Sequence, residues 1–283
     1  YSVVRVNSVT DLFSFGTRLG KKGFFLDLSV RSRVAQDVVL PSGLFNLLWY
    51  GNTYPEIFGT HVEIAPEINF SAWDEFSVNF AGRALKNKLS YGVPLSYLSG
   101  RFNINTRKSS FDFYTDSSTY NIKLKSDLEI NTSGVDGIED YLDQPWPSIA
   151  FPGNNGFSIS LGVNYDITPQ ISVNASFLDL GTIRWRKQTL TFVSHEPGKE
   201  FSFDGLNLHD FVELFEDPET FAKKVEDSLR ALVEIDSVYD VAYSARIPWK
   251  INVGGSYRLN DRHRFNLLFN GTGWNGVFRP ALS

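Results

Sequence analysis

The alternation of apolar and polar residues is most regular in the segment that follows Gly156. Apolar side chains occupy every second position of residues 157–165, with Ser, Gly or Asn between them. After a short segment that contains Pro169, the same alternation resumes over residues 171–177. Because successive side chains of a strand point to opposite faces, this pattern predicts a hairpin with one apolar and one polar face.

Two classes of protein fit such a hairpin. In a soluble β-sandwich the apolar face packs in the core, whereas in a membrane barrel it meets lipid and the polar face lines the interior. Soluble strands are typically about five or six residues long, and a tilted membrane-spanning strand needs about 9–11. Both strands of this hairpin are long, and the polar face carries small uncharged residues. These features favour the barrel.

Alternating segments recur along most of the chain, at residues 24–30, 62–81, 89–97, 101–133 and 241–269. We therefore predict an all-β fold: a single antiparallel β-barrel of the outer-membrane type over residues 1–283, with about 12–14 strands.

Two segments break the alternation and predict short helices inserted between strands. The first covers about 41–50, and the second covers about 208–233, with Pro218 at a favoured first helical position. The inserts could pack on the barrel, close its mouth, plug its interior or meet a partner protein. The candidate partner or lid residues are Leu44, Phe45, Leu48 and Trp49 in the first insert and Phe211, Phe215, Phe221, Val225 and Leu229 in the second.

Composition narrows the function classes. The chain is 42% hydrophobic but has no run of the ~18 apolar residues that a membrane helix needs, so a membrane protein of this composition spans with strands. A net charge of −5 without a basic stripe gives no support to nucleic-acid binding. The absence of cysteine excludes disulfides and thiolate metal sites. Position 1 is Tyr, and we expect an export signal to have been removed.

Catalytic and metal-binding patterns are lacking. The four histidines are His61, His195, His209 and His263. No two of them have metal-ligand spacing, and no nucleophile or phosphate-binding motif occurs. We predict no enzymatic activity, no cofactor and no metal. The cluster Arg184, Trp185 and Arg186 fits either contact with an anionic group or an interfacial cap, in which Trp and cations lie at the level of lipid headgroups.

Several blocks of the sequence resemble one family. They are residues 40–44, 50–52, 95–100, 175–185 and 247–257. In this order they resemble a family of uncharacterised Bacteroidota outer-membrane β-barrels. The wider group is similar to barrels that accompany the type IX secretion and gliding machinery.

The resemblance implies an outer-membrane location in a Gram-negative, Bacteroidota-like bacterium. It also implies two partners, the lipid of the outer membrane and a larger secretion or translocon protein, with this chain as an accessory or plug subunit. Two alternatives stay open: a stand-alone channel for small or hydrophobic solutes, and a soluble periplasmic sandwich. A barrel interior filled by side chains would favour the accessory subunit over the channel.

Overall fold

The computed structural model describes residues 2–20, 23–134, 153–203, 235–260 and 262–282. Over these residues the fold is all-β and antiparallel, with one helix, α1 (Ser42–Tyr50), and 15 strands in a single sheet. The strands are β1 (Ser2–Leu19), β2 (Phe24–Leu40), β3 (His61–Glu63), β4 (Glu67–Ala84), β5 (Leu89–Thr115), β6 (Ile122–Ser133), β7 (Asn154–Asp166), β8 (Ile171–Trp185), β9 (Thr189–Ser194), β10 (Glu200–Phe203), β11 (Ile235–Tyr239), β12 (Tyr243–Arg246), β13 (Trp249–Arg258), β14 (Arg264–Trp274) and β15 (Val277–Leu282).

The chain crosses the sheet nine times, because several strands lie end to end within one crossing. We call each crossing a passage. Strand β6 pairs with residues 103–115 of β5, and β7 continues along residues 89–100 of the same strand. Strands β3 and β4 pair with the other side of β5. Strands β8, β9 and β10 follow one another end to end, and so do β11, β12 and β13 in the next part of the sheet. Each passage pairs with its neighbours in chain order, which makes the sheet an up-and-down meander.

The two ends of the sheet differ. The connections between β1 and β2, β4 and β5, β7 and β8, and β13 and β14 all lie at one end, which we call the turn end. Helix α1 follows β2 at the opposite end, which we call the far end. The far end also carries β3, β6 and β9 to β11, so the sheet extends well beyond the hairpin that dominates the sequence pattern.

The sheet is strongly curved but not closed. Among the described residues, β1 pairs only with β2 and β15 only with β14. Side chains of distant passages nevertheless meet on the concave face. Arg33 of β2 donates a hydrogen bond to Asp179 of β8 at 2.8 Å, and Arg279 of β15 lies 3.8 Å from Asp37 of β2. The concave face therefore encloses an interior.

An apolar cluster fills part of this interior. Its members are Ala35, Trp73, Leu98, Ile183, Trp185, Tyr243, Ala245, Ile247 and Trp274. They come from β2, β4, β5, β8, β12 and β14 and from the link before β13. The Tyr243 hydroxyl donates to Asn103 Oδ1 at 2.8 Å, and Trp274 Nε1 donates to the Arg246 carbonyl at 2.9 Å. Side chains thus pack across the interior.

The faces of the hairpin agree with the prediction from the alternation. Phe157 is 70% exposed on the outer face, whereas its neighbour Ser158 is 7% exposed on the concave face. Ile159, Leu161 and Val163 continue the exposed apolar row. The apolar face is therefore outside and the polar face inside, the reverse of a soluble sandwich.

The alternation changes sense within β8. Leu161 pairs with Phe177 and Ile159 pairs with Leu180, so Leu178 and Asp179 together oppose a single residue of β7. Asp179 has φ 62°, a left-handed conformation that Asp adopts more readily than most residues. This bulge reverses the faces of the rest of the strand, so Ile183 and Trp185 point into the interior.

The first predicted helical insert is present as α1, which ends where the Gly51 N–H donates to the Leu47 carbonyl at 3.0 Å. The second predicted insert, about 208–233, lies outside the described residues. The structure therefore does not describe its candidate residues Phe211, Phe215, Phe221, Val225 and Leu229. No described helix is long and apolar enough to cross a membrane.

Candidate functional site

Apolar rows run across neighbouring strands on the outer face. One row contains Phe13, Val30, Phe76, Tyr97 and Phe157, each of which is the register partner of the next. The ring centroids of Phe76 and Tyr97 are 6.2 Å apart, and those of Tyr97 and Phe157 are 5.6 Å apart. The aromatic side chains therefore form a continuous surface across three strands.

The next row toward the turn end is apolar as well. It consists of Phe15, Leu28, Val78, Leu95, Ile159 and Leu180, all of them exposed. Along β7 the apolar positions extend from Phe157 to Tyr165, which at ~3.3 Å per residue is roughly 26 Å. A strand tilt of about 35–45° shortens this to roughly 20 Å, near the ~25 Å apolar band of membrane barrels. We call these rows the apolar band.

A polar row borders the apolar band on the side of the far end. It consists of Thr10, Ser32, Asp74, Ser99, Asn155, Arg184 and Ser244, again in direct register. Arg101 Nε donates to Asp74 Oδ2 at 2.7 Å, which pairs the one carboxylate of the row with a cation. The change from apolar to polar side chains between the two rows runs across the five strands β1, β2, β4, β5 and β7, and it gives the band a sharp edge.

The concave face behind the band holds a buried ion network. Arg33 donates to Glu75 Oε2 at 2.7 Å and to Asp179 Oδ2 at 2.8 Å. Glu75 also accepts hydrogen bonds from Ser77 at 2.9 Å and Ser96 at 3.1 Å. Arg33 therefore connects three passages of the sheet. The sequence alone does not reveal this network, because its members lie far apart in the chain and meet only when the sheet curves.

Helix α1 leaves part of its apolar surface exposed. Leu48 and Trp49 are 69% and 74% exposed, whereas Leu44 and Phe45 are half-buried. Neither exposed side chain belongs to the apolar cluster of the interior, and whether α1 closes the mouth, plugs the interior or meets a partner stays a prediction. The exposed pair remains a candidate partner surface at the far end.

The predicted cluster of Arg184, Trp185 and Arg186 is divided between the two faces. Arg184 and Arg186 are exposed, but Trp185 is 0% exposed and packs in the interior cluster. The expectation that Trp185 lies at the level of lipid headgroups is therefore wrong, because the bulge at Asp179 turned it inward. The roles expected of the two arginines stay predictions.

Metal-binding and acid–base groups are sparse. Over the described residues no three His, Cys, Asp or Glu side chains are grouped so that they could hold a metal ion. His61 Nδ1 lies 2.7 Å from Asp112 Oδ2, and His195 Nδ1 lies 2.9 Å from Asp236 Oδ2. Both pairs join neighbouring passages at the exposed far end. Their members are far apart in the sequence, so neighbouring residues in the chain do not reveal them.

Residues 2–283 match a family of unknown function, DUF5723, and the chain belongs to this family. No curated protein and no solved structure matches the chain.

Proposed function

We propose that this protein is a non-enzymatic, non-conducting β-barrel of the outer membrane that serves as an accessory or plug subunit of a protein secretion or translocation complex. The observation that carries the proposal is the contrast between the faces of one sheet. Its outer face is an exposed apolar band, and its concave face is filled by packed and ion-paired side chains.

The outer face supports insertion in a membrane. Soluble monomers rarely expose apolar patches larger than a few hundred Å², and larger ones mark interaction or membrane surfaces. Here the apolar rows cross at least five strands and end at the polar row. Lipid solvates such a band at no cost, and the small polar residues behind it suit a barrel interior.

The filled interior weighs against a stand-alone channel. Three different passages place a buried aromatic side chain in the interior, namely Trp73, Trp185 and Tyr243. Solute passage would require these side chains to leave a close-packed cluster, which costs contacts on every side. A barrel of this kind acts by what it presents at its ends.

The far end offers the surface for a protein partner. The Leu48 and Trp49 side chains project into solvent beyond the polar row, where no lipid covers them. Exposed Trp is typical of the anchor residues of protein interfaces. The partner would be a large secretion or translocon protein.

The test is affinity purification of the tagged full-length protein from its native membrane, after alkaline carbonate has removed peripheral proteins. We expect a stoichiometric large partner to co-purify with the wild type and to be lost from the Leu48→Ser/Trp49→Ser variant. The matched control is Leu85→Asn, which removes a 62% exposed leucine at the turn end where φ 51° suits asparagine.

If the Leu85→Asn variant still co-purifies with the partner, the loss of the partner from the double variant is caused by the change in α1. Extraction of the wild type by carbonate would overturn the membrane assignment. A lone barrel that conducts ions in planar bilayers would overturn the accessory role and favour the channel.

A further inference from the structure

A hollow of about 270 Å³ opens on the concave face at the turn end. Charged and hydroxyl-bearing side chains from neighbouring strands and their ends line it, and they are Lys88, Asp166, Ser172, Ser256, Arg258 and Arg264. Asp166 lies on the same face of β7 as the buried Ser158, and its register partner is Ser172. The hydroxyl oxygens of Ser172 and Ser256 are 2.7 Å apart, so β13 continues this face. The hollow therefore opens toward the interior and not toward the apolar band.

The cations of this hollow outnumber its carboxylates. Lys88, Arg258 and Arg264 form no ion pair with any described carboxylate. Asp166 is the only carboxylate among the residues that line the hollow, and it accepts a hydrogen bond from Asn164 at 3.3 Å. Three cations less one carboxylate leave the lining with a net charge of +2, in a chain whose net charge is −5. The local field therefore favours an anion, against the sign of the whole chain.

Two of the cations lie directly opposite each other. Arg258 of β13 and Arg264 of β14 are register partners, and like charges at such positions destabilise an antiparallel pair. The next concave positions of the same two strands are Ser256 and Asn266, which are neutral and offset neither charge. An anion between the two guanidinium groups would replace their repulsion by two attractions. The arginine pair therefore costs stability in the empty site and gains it when an anion is bound.

The walls of the hollow are held by backbone hydrogen bonds between strand ends. The Arg258 N–H donates to the Gln170 carbonyl at 2.8 Å, which ties β13 to the turn after β7. The Asp166 N–H donates to the Lys88 carbonyl at 2.8 Å, which ties β7 to the turn before β5. The backbone that carries the cations is thus in place before a ligand arrives, so binding costs mainly the ordering of the long side chains.

We propose that this hollow binds the phosphate group of a water-soluble molecule. A phosphate group carries about −1.5 to −2 charges at pH 7, which matches the charge of the lining, and its oxygens accept bidentate hydrogen bonds from arginine. Liquid water occupies ~30 Å³ per molecule, so about 270 Å³ has room for the phosphate and part of the molecule that carries it. The site faces the interior, so it depends on neither the membrane location nor the partner of the proposed function.

The test measures binding of inorganic phosphate to the purified full-length protein in detergent by isothermal titration calorimetry, with chloride keeping the ionic strength equal in every sample. We expect the wild type to bind phosphate and the Arg258→Gln/Arg264→Gln variant to bind it at least about tenfold more weakly, because charge-assisted hydrogen bonds are lost. Lys86→Gln/Arg262→Gln is the matched control. It removes the same charge from exposed turn positions that do not line the hollow, and binding should change by less than about twofold.

A third variant gives a gain that a misfolded protein cannot show. Asp166→Asn removes the one carboxylate of the lining, so it should tighten phosphate binding severalfold. Absence of phosphate binding by the wild type would overturn the proposal, and so would equal weakening in the two double variants, which describes a diffuse field without a site. Phosphatidylglycerol that stays bound to the protein in excess inorganic phosphate would place the anion on a lipid and overturn the water-soluble source.

Discussion

The two faces of the same sheet obey opposite rules. On the outer face Phe157, Ile159 and Leu161 are exposed. On the concave face Glu75 and Arg33 are buried and satisfied by each other. The same strands thus place hydrocarbon where a soluble protein has water and charges where it has its core. The two faces are therefore stabilised differently: paired side chains satisfy the inner face, and under the proposed membrane location lipid would solvate the outer face.

The largest expected effect comes from the interior network. Arg33→Met leaves the carboxylates of Glu75 and Asp179 buried without their cation, so we expect a loss of about 3–5 kcal/mol in the free energy of unfolding. Arg107→Met is the control, because the Arg107 side chain is 60% exposed and its ion pair with Glu129 at 3.5 Å is open to solvent. The loss there should stay below about 1 kcal/mol. Denaturant unfolding in lipid vesicles measures both.

An equal loss in the two arginine variants would show that the interior is wet and that the network is not buried. Adding Glu75→Gln to Arg33→Met should recover part of the stability, because it removes one of the two stranded charges.

The outer face is tested by a depth series along β7. Leu161→Arg places a charge in the middle of the apolar band and should cost about 2–4 kcal/mol in a bilayer. Val163→Arg should cost less, and Tyr165→Arg, at the edge, about 0–1 kcal/mol. Asn164→Arg on the concave face should be mild. A flat series, or equal costs for Val163→Arg and Asn164→Arg, would contradict the assignment of the faces.

The faces of the hairpin could be predicted because alternation has a period of two and a short turn fixes the register of residues 157–177. The predicted alternation of faces holds only as far as the bulge at Asp179. A charged residue in the apolar row was the available signal, but a bulge adds a single residue and its effect on Trp185 appears only six positions later. Local alternation therefore predicts the strands better than it predicts where each strand changes face.

The interior ion network could not be predicted from the sequence for a different reason. Arg33 and Asp179 are 146 residues apart, and their contact depends on the curvature of the whole sheet. Helix α1 could be predicted from its flanking Pro41 and Gly51, but not the exposure of Trp49, which depends on what packs against the helix. Elements follow from nearby residues, whereas the site depends on how distant passages meet.

A smaller effect is expected where the interior is closely packed. A Cβ on Gly100 would lie 2.6 Å from the Trp185 ring, so Gly100→Ala should cost about 1–3 kcal/mol through overpacking. Gly92→Ala on the same strand is the control, since its nearest neighbour, the Phe80 carbonyl, would be 3.8 Å away. Thermal unfolding distinguishes them. Trp185→Phe in the Gly100→Ala background should restore stability, and no restoration would place the strain elsewhere.

The smallest effect is expected at the far end, where water surrounds the side chains and neither rule applies. The backbone N–H groups of Thr119 and Ser118 donate to Asp116 Oδ1 at 2.9 Å and 2.8 Å and hold the pKa of that carboxyl below its usual range. A carboxyl with a lowered folded-state pKa contributes stability above its unfolded pKa and loses it as the pH falls through the folded value. Asp116→Asn keeps an acceptor but removes the titration, so its unfolding midpoint should fall less between pH 7 and strongly acidic pH than that of the wild type. The difference should be far smaller than for the buried Arg33 network, because solvent screens an exposed carboxylate. An acid-induced loss in the wild type that persists unchanged in Asp116→Asn would assign the pH dependence to other carboxylates and leave this turn without a measurable share.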